Sequence, residues 1–389
     1  SLDRRLRLEA VEALTRHKSI ASVEVFTELL AHPWAPLRAA SLRALAHTDP
    51  ESFMFVLSGL GPDPDWRVRS ALAEGLRWVR PEVARYRLTV MLNDEDQRVI
   101  PKVLQSLVAV DESGSAEILK EYLRSSDIGV RKTAANLLGK LLNNGSEKDL
   151  IEAFDNALPD SSYVVRLAVM DALTNYGIEV AQGTLLDGLK DPEWAIRVRA
   201  TEHLKRLLPE DSFEGPGTAQ GLRRVDYSAT ELINPKVSPH AYIETDYGTI
   251  EIELAVIDAP LTSENFVTLS SQGYYDGLAF HEVVSNDAVY TGDPRGDGNG
   301  GPGYTLRDEH NQLPFLRGTV GMARDWRDSA GSRFFISHSP QPHLDSRYTV
   351  FGHVVDGMEV LDKLEPGDRI DRVYVWDGIS LLGGSELKP

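Results

Sequence analysis

The chain has 389 residues, 41 Lys+Arg against 59 Asp+Glu, a net charge of −18 and no cysteine. A length of this order suits two or three domains. The acidic balance excludes a nucleic-acid binder, whose phosphate contacts need clustered cations, and no apolar run approaches the roughly 18 residues of a membrane span. The lack of cysteine removes disulfides, thiolate metal sites and thiol nucleophiles together, but does not fix the compartment, since a cysteine-free chain tolerates reducing and oxidising conditions alike.

The charge is uneven. Residues 1–212 hold 27 basic and 32 acidic side chains, a balance of −5, and residues 213–389 hold 14 and 27, a balance of −13. The first part is rich in Ala and Leu, the second in Gly, Tyr, Thr and Val.

The first part repeats. Leu6, Leu37, Val68, Val99, Val130, Val165 and Ile196 mark a register with spacings of 31, 31, 31, 31, 35 and 31. Eight residues after each anchor stands a leucine: Leu14, Leu45, Leu76, Leu107, Leu138, Leu173 and Leu204. Seven before it, Leu30, Leu92, Leu123, Leu158 and Leu189 recur, with Gly61 the exception. Offsets 0, +4, +7 and +8 share one face of a helix. Asp63, Asp94, Asp160 and Asp191, five before their anchors, suit the turn or cap that starts it. Upstream segments such as Ser22–Leu30 and Ser115–Leu123 supply a first, antiparallel helix. A helix pair of this kind buries its apolar face only by stacking on its neighbours.

The pattern resembles a HEAT-repeat solenoid of the short bacterial kind over residues 1–210, in seven units. The four extra residues before Val165 are expected in the Asn143-Asn144-Gly145 loop. Arg38, Arg69, Arg131, Arg166 and Arg197 are expected to pair with the periodic Asp residues rather than to form a binding stripe. Unit one holds its second helix only and residue 1 is Ser, so the chain reads as a piece of a longer protein. A solenoid surface of this class can bind a protein, though the sequence does not say whether this one does.

The last repeat helix should end near Leu208-Pro209, and residues 211–237, with Gly215-Pro216-Gly217 and Asn234-Pro235, read as a linker, of which Tyr227–Ile233 could pack on a domain. From residue 238 the texture changes. Ala241–Thr245 and Thr249–Leu254 alternate around a turn at Asp246–Gly248, a hairpin pattern. Pro260–Leu269 is a short helix with Thr262 or Ser263 as its cap, and Gly357–Leu364 a second. Strand signals follow at Leu278–Val284, Gly318–Met322, Phe334–Ser337, Thr349–Val354 and Arg372–Trp376. Many short strands with two helices predict a closed β-barrel.

Gly248–Leu254, Ala259–Phe266, Gly273–Gly277, Phe280-His281, Gly292-Asp293, Gly300–Tyr304, Gly318–Ala323, Phe334–Ile336, His343–Asp345 and Val350–Gly352 occur in the order and spacing of one family. Residues 238–389 resemble a cyclophilin, the barrel-fold peptidyl-prolyl cis-trans isomerase. The whole chain is then a multidomain protein: an all-α HEAT-repeat solenoid followed by a cyclophilin-like closed β-barrel with two short helices. The resemblance implies a proline-containing polypeptide as partner and neither metal nor cofactor.

It also implies a site, and here the sequence departs from the family. The arginine that follows Phe-His is Glu282, and a carboxylate accepts hydrogen bonds but donates none. The aromatic pocket wall and the aliphatic residue after it are Asp287 and Ala288; the first glutamine is Tyr290 and the second Arg333. Phe335 and Leu344 keep the pocket floor and Ala323 the peptide groove, while Arg324, His343 and Tyr348 stand at positions that vary among bacterial relatives. These changes predict weak or absent catalysis, or a binding module without catalysis. A third reading places activity in a preceding part of the protein and makes this barrel a degenerate companion. Glu282 is expected to pair with Arg333 or Arg324, or else Arg333 points into the groove and donates to a substrate carbonyl. His281 reads as a buried, hydrogen-bonded structural residue, Arg295-Gly296-Asp297 as part of a Gly-rich loop, and Asp293–Asn299 as lacking what a calcium loop needs.

Overall fold

The structure, a computed structural model, describes residues 4–17, 22–59, 61–143, 145–209, 238–376 and 381–382. The linker 211–237 lies outside the described residues. Among them no helix is long and apolar enough to cross a membrane. The chain divides into two compact units: Ser1–Asp160 with Val164–Leu185, and Ser161–Tyr163 with Leu186–Pro389.

The first unit is built from helix pairs: α1 (Arg4–His17), α2 (Val23–Leu29), α3 (Ala35–Thr48), α4 (Pro50–Gly59), α5 (Trp66–Gly75), α6 (Pro81–Met91), α7 (Ile100–Val110), α8 (Ala116–Tyr122), α9 (Ile128–Leu141), α10 (Glu147–Asn156), α11 (Val164–Asn175) and α12 (Ile178–Gly188). The anchors lie on the odd-numbered helices or the residue before them, and Leu37, Val99, Val130 and Val165 are fully buried. So are Leu45, Leu76, Leu138 and Leu173, the leucines eight residues on. Leu6, on α1, is the exception among the anchors at 54% exposed. Leu158 is also exposed. The four extra residues do not lengthen the α9–α10 link, which at 142–146 matches 111–115 between α7 and α8; α10 instead has 10 residues against 7 in α8. Leu142 and Gly145 adopt left-handed backbone (φ 49° and 92°).

The arginines form a ladder. Arg38 meets Asp63, Arg69 meets Asp94 and Arg131 meets Asp160, each at 2.8 Å. Arg38 and Arg69 also donate to the carbonyls five and six residues back, closing their own turns. Each therefore ties its own repeat to the next through a bidentate, charge-assisted pair. The Asp residues at −5 make the turn, not the cap. The caps of α5 and α9 are Asp65 and Asp127, two residues closer to the anchor.

Helix packing is tightest at Gly139, where an added Cβ would lie 2.6 Å from the Ala172 backbone. Gly139→Ala is expected to destabilise this unit by about 1–3 kcal/mol through forced separation of α9 and α11; a denaturant midpoint unchanged from wild type would refute this.

The second unit contains α13 (Trp194–Leu207), β1 (His240–Thr245), β2 (Gly248–Leu254), α14 (Pro260–Ser271), β3 (Glu282–Val283), β4 (Ala288–Thr291), β5 (Thr319–Met322), β6 (Phe334–Ser337), β7 (Val350–Asp356), α15 (Met358–Leu361), β8 (Ile370–Trp376) and β9 (Leu381–Leu382). Whereas the sequence put the division near residue 210, α13 belongs by its contacts with the barrel. Trp194 Nε1 donates to Asp328 at 2.8 Å, Thr305 N and Oγ1 donate to Glu193, and the Arg199 guanidinium lies 3.9 Å over the Trp326 ring. Tyr163 OH donates to the Ser329 carbonyl, and burial pushes that phenol up to about 12.

The strands form an antiparallel sheet in the order β3-β4-β6-β5-β7-β2-β1-β8-β9. It closes through residues 277–280, which exchange backbone hydrogen bonds with 367–370. Inward-facing side chains such as Ile250, Ile252, Val289, Val320, Phe334, Ile336 and Phe351 fill the interior. The two short helices are present, but α14 is not capped by Thr262 or Ser263. Both lie inside the helix, and Glu309 from a distant loop accepts from Leu261 N and Thr262 N. A carboxylate there satisfies orphan N–H groups and complements the helix dipole.

Candidate active site

Strand register builds the site. Glu282 pairs with Tyr290, Tyr290 with Phe335, Phe335 with Gly321 and Gly321 with Val350. Directly paired residues share a face, so these five form one row across β3, β4, β6, β5 and β7. Their neighbours Val289, Val320, Phe334 and Phe351 point the other way, into the barrel. Glycine at 321 is required. A Cβ there would stand 2.6 Å from the Phe315 ring and 2.8 Å from that of Phe335. With no side chain in the way, those two rings stack at 5.6 Å and 12°.

Around Phe335 gathers a small apolar cluster separate from the barrel interior. Ala288, Phe315 and Val350 are its buried members, with Tyr290, Leu313, Ala323, Leu344 and Tyr348 packed on its rim. The Tyr290 ring lies 5.4 Å from Phe335 and the Tyr348 ring meets it edge-on at 6.2 Å. The structure thus brings together Ala288, Tyr290, Ala323, Phe335, Leu344 and Tyr348 of the expected set. Exposed His343 stands beside Leu344 in a short 3-10 turn, Pro342–Leu344. Phe315 and Gly321, which carry the floor, were not singled out from the sequence as site residues; the close approach that demands glycine is visible only in three dimensions.

The charges at the ends of the row differ. Arg333 does not meet Glu282: its guanidinium donates to the Gly298 carbonyl and, at 2.8 Å, to Asp325. Arg324 does not meet it either. That side chain pairs with Asp308, donates to the Arg347 carbonyl at 2.6 Å, and lies 4.7 Å over the Tyr348 ring. The expected pairing fails because each arginine has a nearer partner. For the same reason Arg333 is a brace of the 298 and 325 loops rather than a donor into the groove.

Glu282 is exposed and has no ion pair or side-chain hydrogen bond among the described residues. Desolvation by the surrounding protein, and then the charge of Asp287, raise its carboxyl above the usual range. Asp287 accepts a hydrogen bond from Gln341. Desolvation first, with Asp287 and Glu282 adding, pushes the Tyr290 phenol up to about 12, so it is a neutral hydroxyl at neutral pH. This end of the row carries two carboxylates and a phenol.

The neighbouring loop is self-satisfied. Buried Asp293 accepts from the backbone N–H of Arg295, Asp297 and Gly298. Arg295 and Asp297 pair with each other at 2.8 Å, which keeps that tripeptide from presenting its charges. His281 is half-buried with Nδ1 unsatisfied among the described residues, and burial lowers its pKa, which favours a neutral ring. The ring keeps a backbone hydrogen bond with Ala279, as expected of a structural histidine.

Two stretches of the chain match known families. Residues 240–378 match the family described as cyclophilin type peptidyl-prolyl cis-trans isomerase/CLD, and residues 53–139 match HEAT repeats. A peptidyl-prolyl cis-trans isomerase of Synechococcus elongatus is 48% identical over 137 residues, 35% of this chain and 94% of that protein. One from Helicobacter pylori is 44% identical over 138 residues, 34% of this chain and 85% of that protein. Peptidyl-prolyl cis-trans isomerase B of Bacillus subtilis is 42% identical over 136 residues, 34% and 95% respectively. A solved cyclophilin-type isomerase of Cryptosporidium parvum is 31% identical, covers 36% of this chain and 98% of its own, and has a TM-score of 0.35. Through residues 240–378, the chain belongs to the cyclophilin-type peptidyl-prolyl cis-trans isomerase family.

Proposed function

We propose that the barrel binds a proline-containing polypeptide over Phe335 and isomerises it weakly or not at all. One observation carries this reading: the row that begins on an intact aromatic floor ends in Glu282, and neither nearby arginine replaces the missing donor. Isomerisation crosses a barrier of about 18–20 kcal/mol set by amide resonance. A site lowers it by holding the proline ring in an apolar pocket and donating to the twisting amide. Phe335, Leu344 and Ala323 retain the first part. At the second, carboxylates offer only acceptors. Removing one well-placed donor of this kind typically lowers turnover by about 10²–10³-fold.

The test is a protease-free isomerase assay of the full chain on Xaa-Pro peptides, with peptide affinity read in parallel. The expected result is measurable binding with a rate at least about tenfold below that of an ordinary family member; a rate within that range overturns the reading. The same titration has a charge signature. A peptide with Lys beside Pro should bind more tightly than its Glu counterpart, and less so at high salt. The folded protein favours protonated Glu282, so acidification neutralises it at higher pH than a free glutamate. The Lys preference should therefore fade as pH drops through that raised range and persist above it.

A second reading, a non-catalytic scaffold in which solenoid and barrel bind one partner polypeptide, draws on the first unit. Phe55 on α4 and Tyr86 on α6 occupy the same repeat position, 31 residues apart, and are 80% and 72% exposed. Loss of partner binding on Phe55→Ser with Tyr86→Ser, with peptide binding by the barrel unchanged, would favour it.

A further inference from the structure

The last repeat helix reaches the peptide site through a continuous chain of contacts. Trp194, the first residue of α13, donates from its indole to one oxygen of Asp328 at 2.8 Å. The other oxygen of Asp328 accepts from Asp308 N at 2.9 Å, while Asp328 N donates back to the Asp308 carboxylate at 3.1 Å. Asp308 pairs with Arg324. Arg324 lies over Tyr348, and Tyr348 stands edge-on to Phe335. Asp328 holds left-handed backbone at φ 58°, which Asp tolerates better than most residues with a side chain. Both of its carboxylate oxygens are held. Arg307, 3.6 Å over the Trp194 ring, and Arg197, at 5.2 Å, hold the indole by cation–π contact.

We propose that Trp194 is a positioning residue for the peptide groove: through Asp328, Asp308 and Arg324 it sets the orientation of Tyr348 against the Phe335 floor. This rests on the reading that the groove binds a proline peptide, yet its first readout does not need the peptide. The hydrogen-bond and ring partners of Trp194 are Asp328, Arg197 and Arg307, none of them a floor residue, so the proposed route runs through Asp328.

The experiment uses the full chain and three variants: Trp194→Ala, Trp194→Phe, which keeps a ring under Arg307 but loses the N–H donor, and Arg324→Ala. The first readout is the aromatic NMR resonances of Tyr348 in the peptide-free protein. The second is the affinity for an Ala-Ala-Pro-Phe peptide. Trp194→Ala is expected to displace the Tyr348 resonances and weaken the peptide by about tenfold, and Trp194→Phe to do so by less. Combined with Arg324→Ala, Trp194→Ala should add little, because the chain is already cut; a general loosening of the fold would instead add in full. Unmoved Tyr348 resonances in Trp194→Phe, a variant chosen to stay folded, overturn the inference, as do fully additive effects in the double variant. If the wild-type chain binds no peptide, the functional reading fails and the Tyr348 resonances still decide this one.

Discussion

Combining Glu282→Arg with Asp287→Phe and Tyr290→Gln is expected to raise isomerase turnover by about 10²-fold. The three changes are needed together. Arginine at 282 alone would face Asp287, whose charge already raises the Glu282 carboxyl, and an ion pair there would take up the donors meant for the substrate. Phenylalanine at 287 removes that competitor and rebuilds the apolar wall. It also deprives Gln341 Nε2 of its acceptor. Gln341 is buried, so this exchange costs about 1–3 kcal/mol of stability unless the amide turns to water. Glutamine at 290 supplies an amide where the phenol now stands. A guanidinium stays charged at every pH at which the protein folds and presents several N–H groups in a fixed fork. Glu282→Arg by itself should therefore change the rate only a few-fold. If the triple variant folds and binds peptide, and its kcat/KM in a protease-free assay stays flat, the missing donor is not what limits this site.

Much of the fold was legible because its physics is periodic. The anchors Leu37 to Val165 and the leucines eight residues on mark a buried helical face wherever a neighbour stacks on it, and burial at those positions is nearly complete. Strand β6 was read to the residue, since Phe334–Ser337 is apolar and bounded by turn signals. Short β4 and the two-residue β3 and β9 lacked the length for alternation to show, so β4 and β9 were missed. At the site, Glu282, Asp287 and Tyr290 were identified by position in the family pattern, and strand register then placed Glu282 and Tyr290 on one row with Phe335. The partners of Arg324 and Arg333 were not legible. Asp308 and Asp325 lie 16 and 8 residues away in the chain and meet the arginines only through loop geometry. The α13 contacts failed for a similar reason: Trp194 reads as the first residue of an ordinary repeat helix, and its hydrogen bond spans 134 residues.

Phe334 and Phe335 are neighbours on β6, and their alanine variants should fail in different ways. Phe334 is fully buried in the barrel interior, packed edge-on to Phe266, Tyr275 and Phe351. Phe335 points to the other face, where the small outer cluster is held by Phe315, Tyr290 and Tyr348. Truncating a buried Phe to Ala costs about 3–5 kcal/mol, and where a site falls in that range depends on how far it collapses. The barrel interior is closed by strands and by α14, whose Phe266 packs on Phe334, so Phe334→Ala should lie near the upper end. The outer cluster opens to solvent at its rim, where Tyr290 and Tyr348 can lean inward, so Phe335→Ala should lie near the lower end. The peptide readout reverses this order. Phe335→Ala removes the floor on which a proline ring would rest and should abolish binding of an Xaa-Pro peptide. Phe334→Ala, where folded, should weaken binding by only a few-fold. Denaturant unfolding of the second unit and peptide titration at a temperature where both variants are folded separate the two effects. Retained affinity in Phe335→Ala would sink the assignment of the groove.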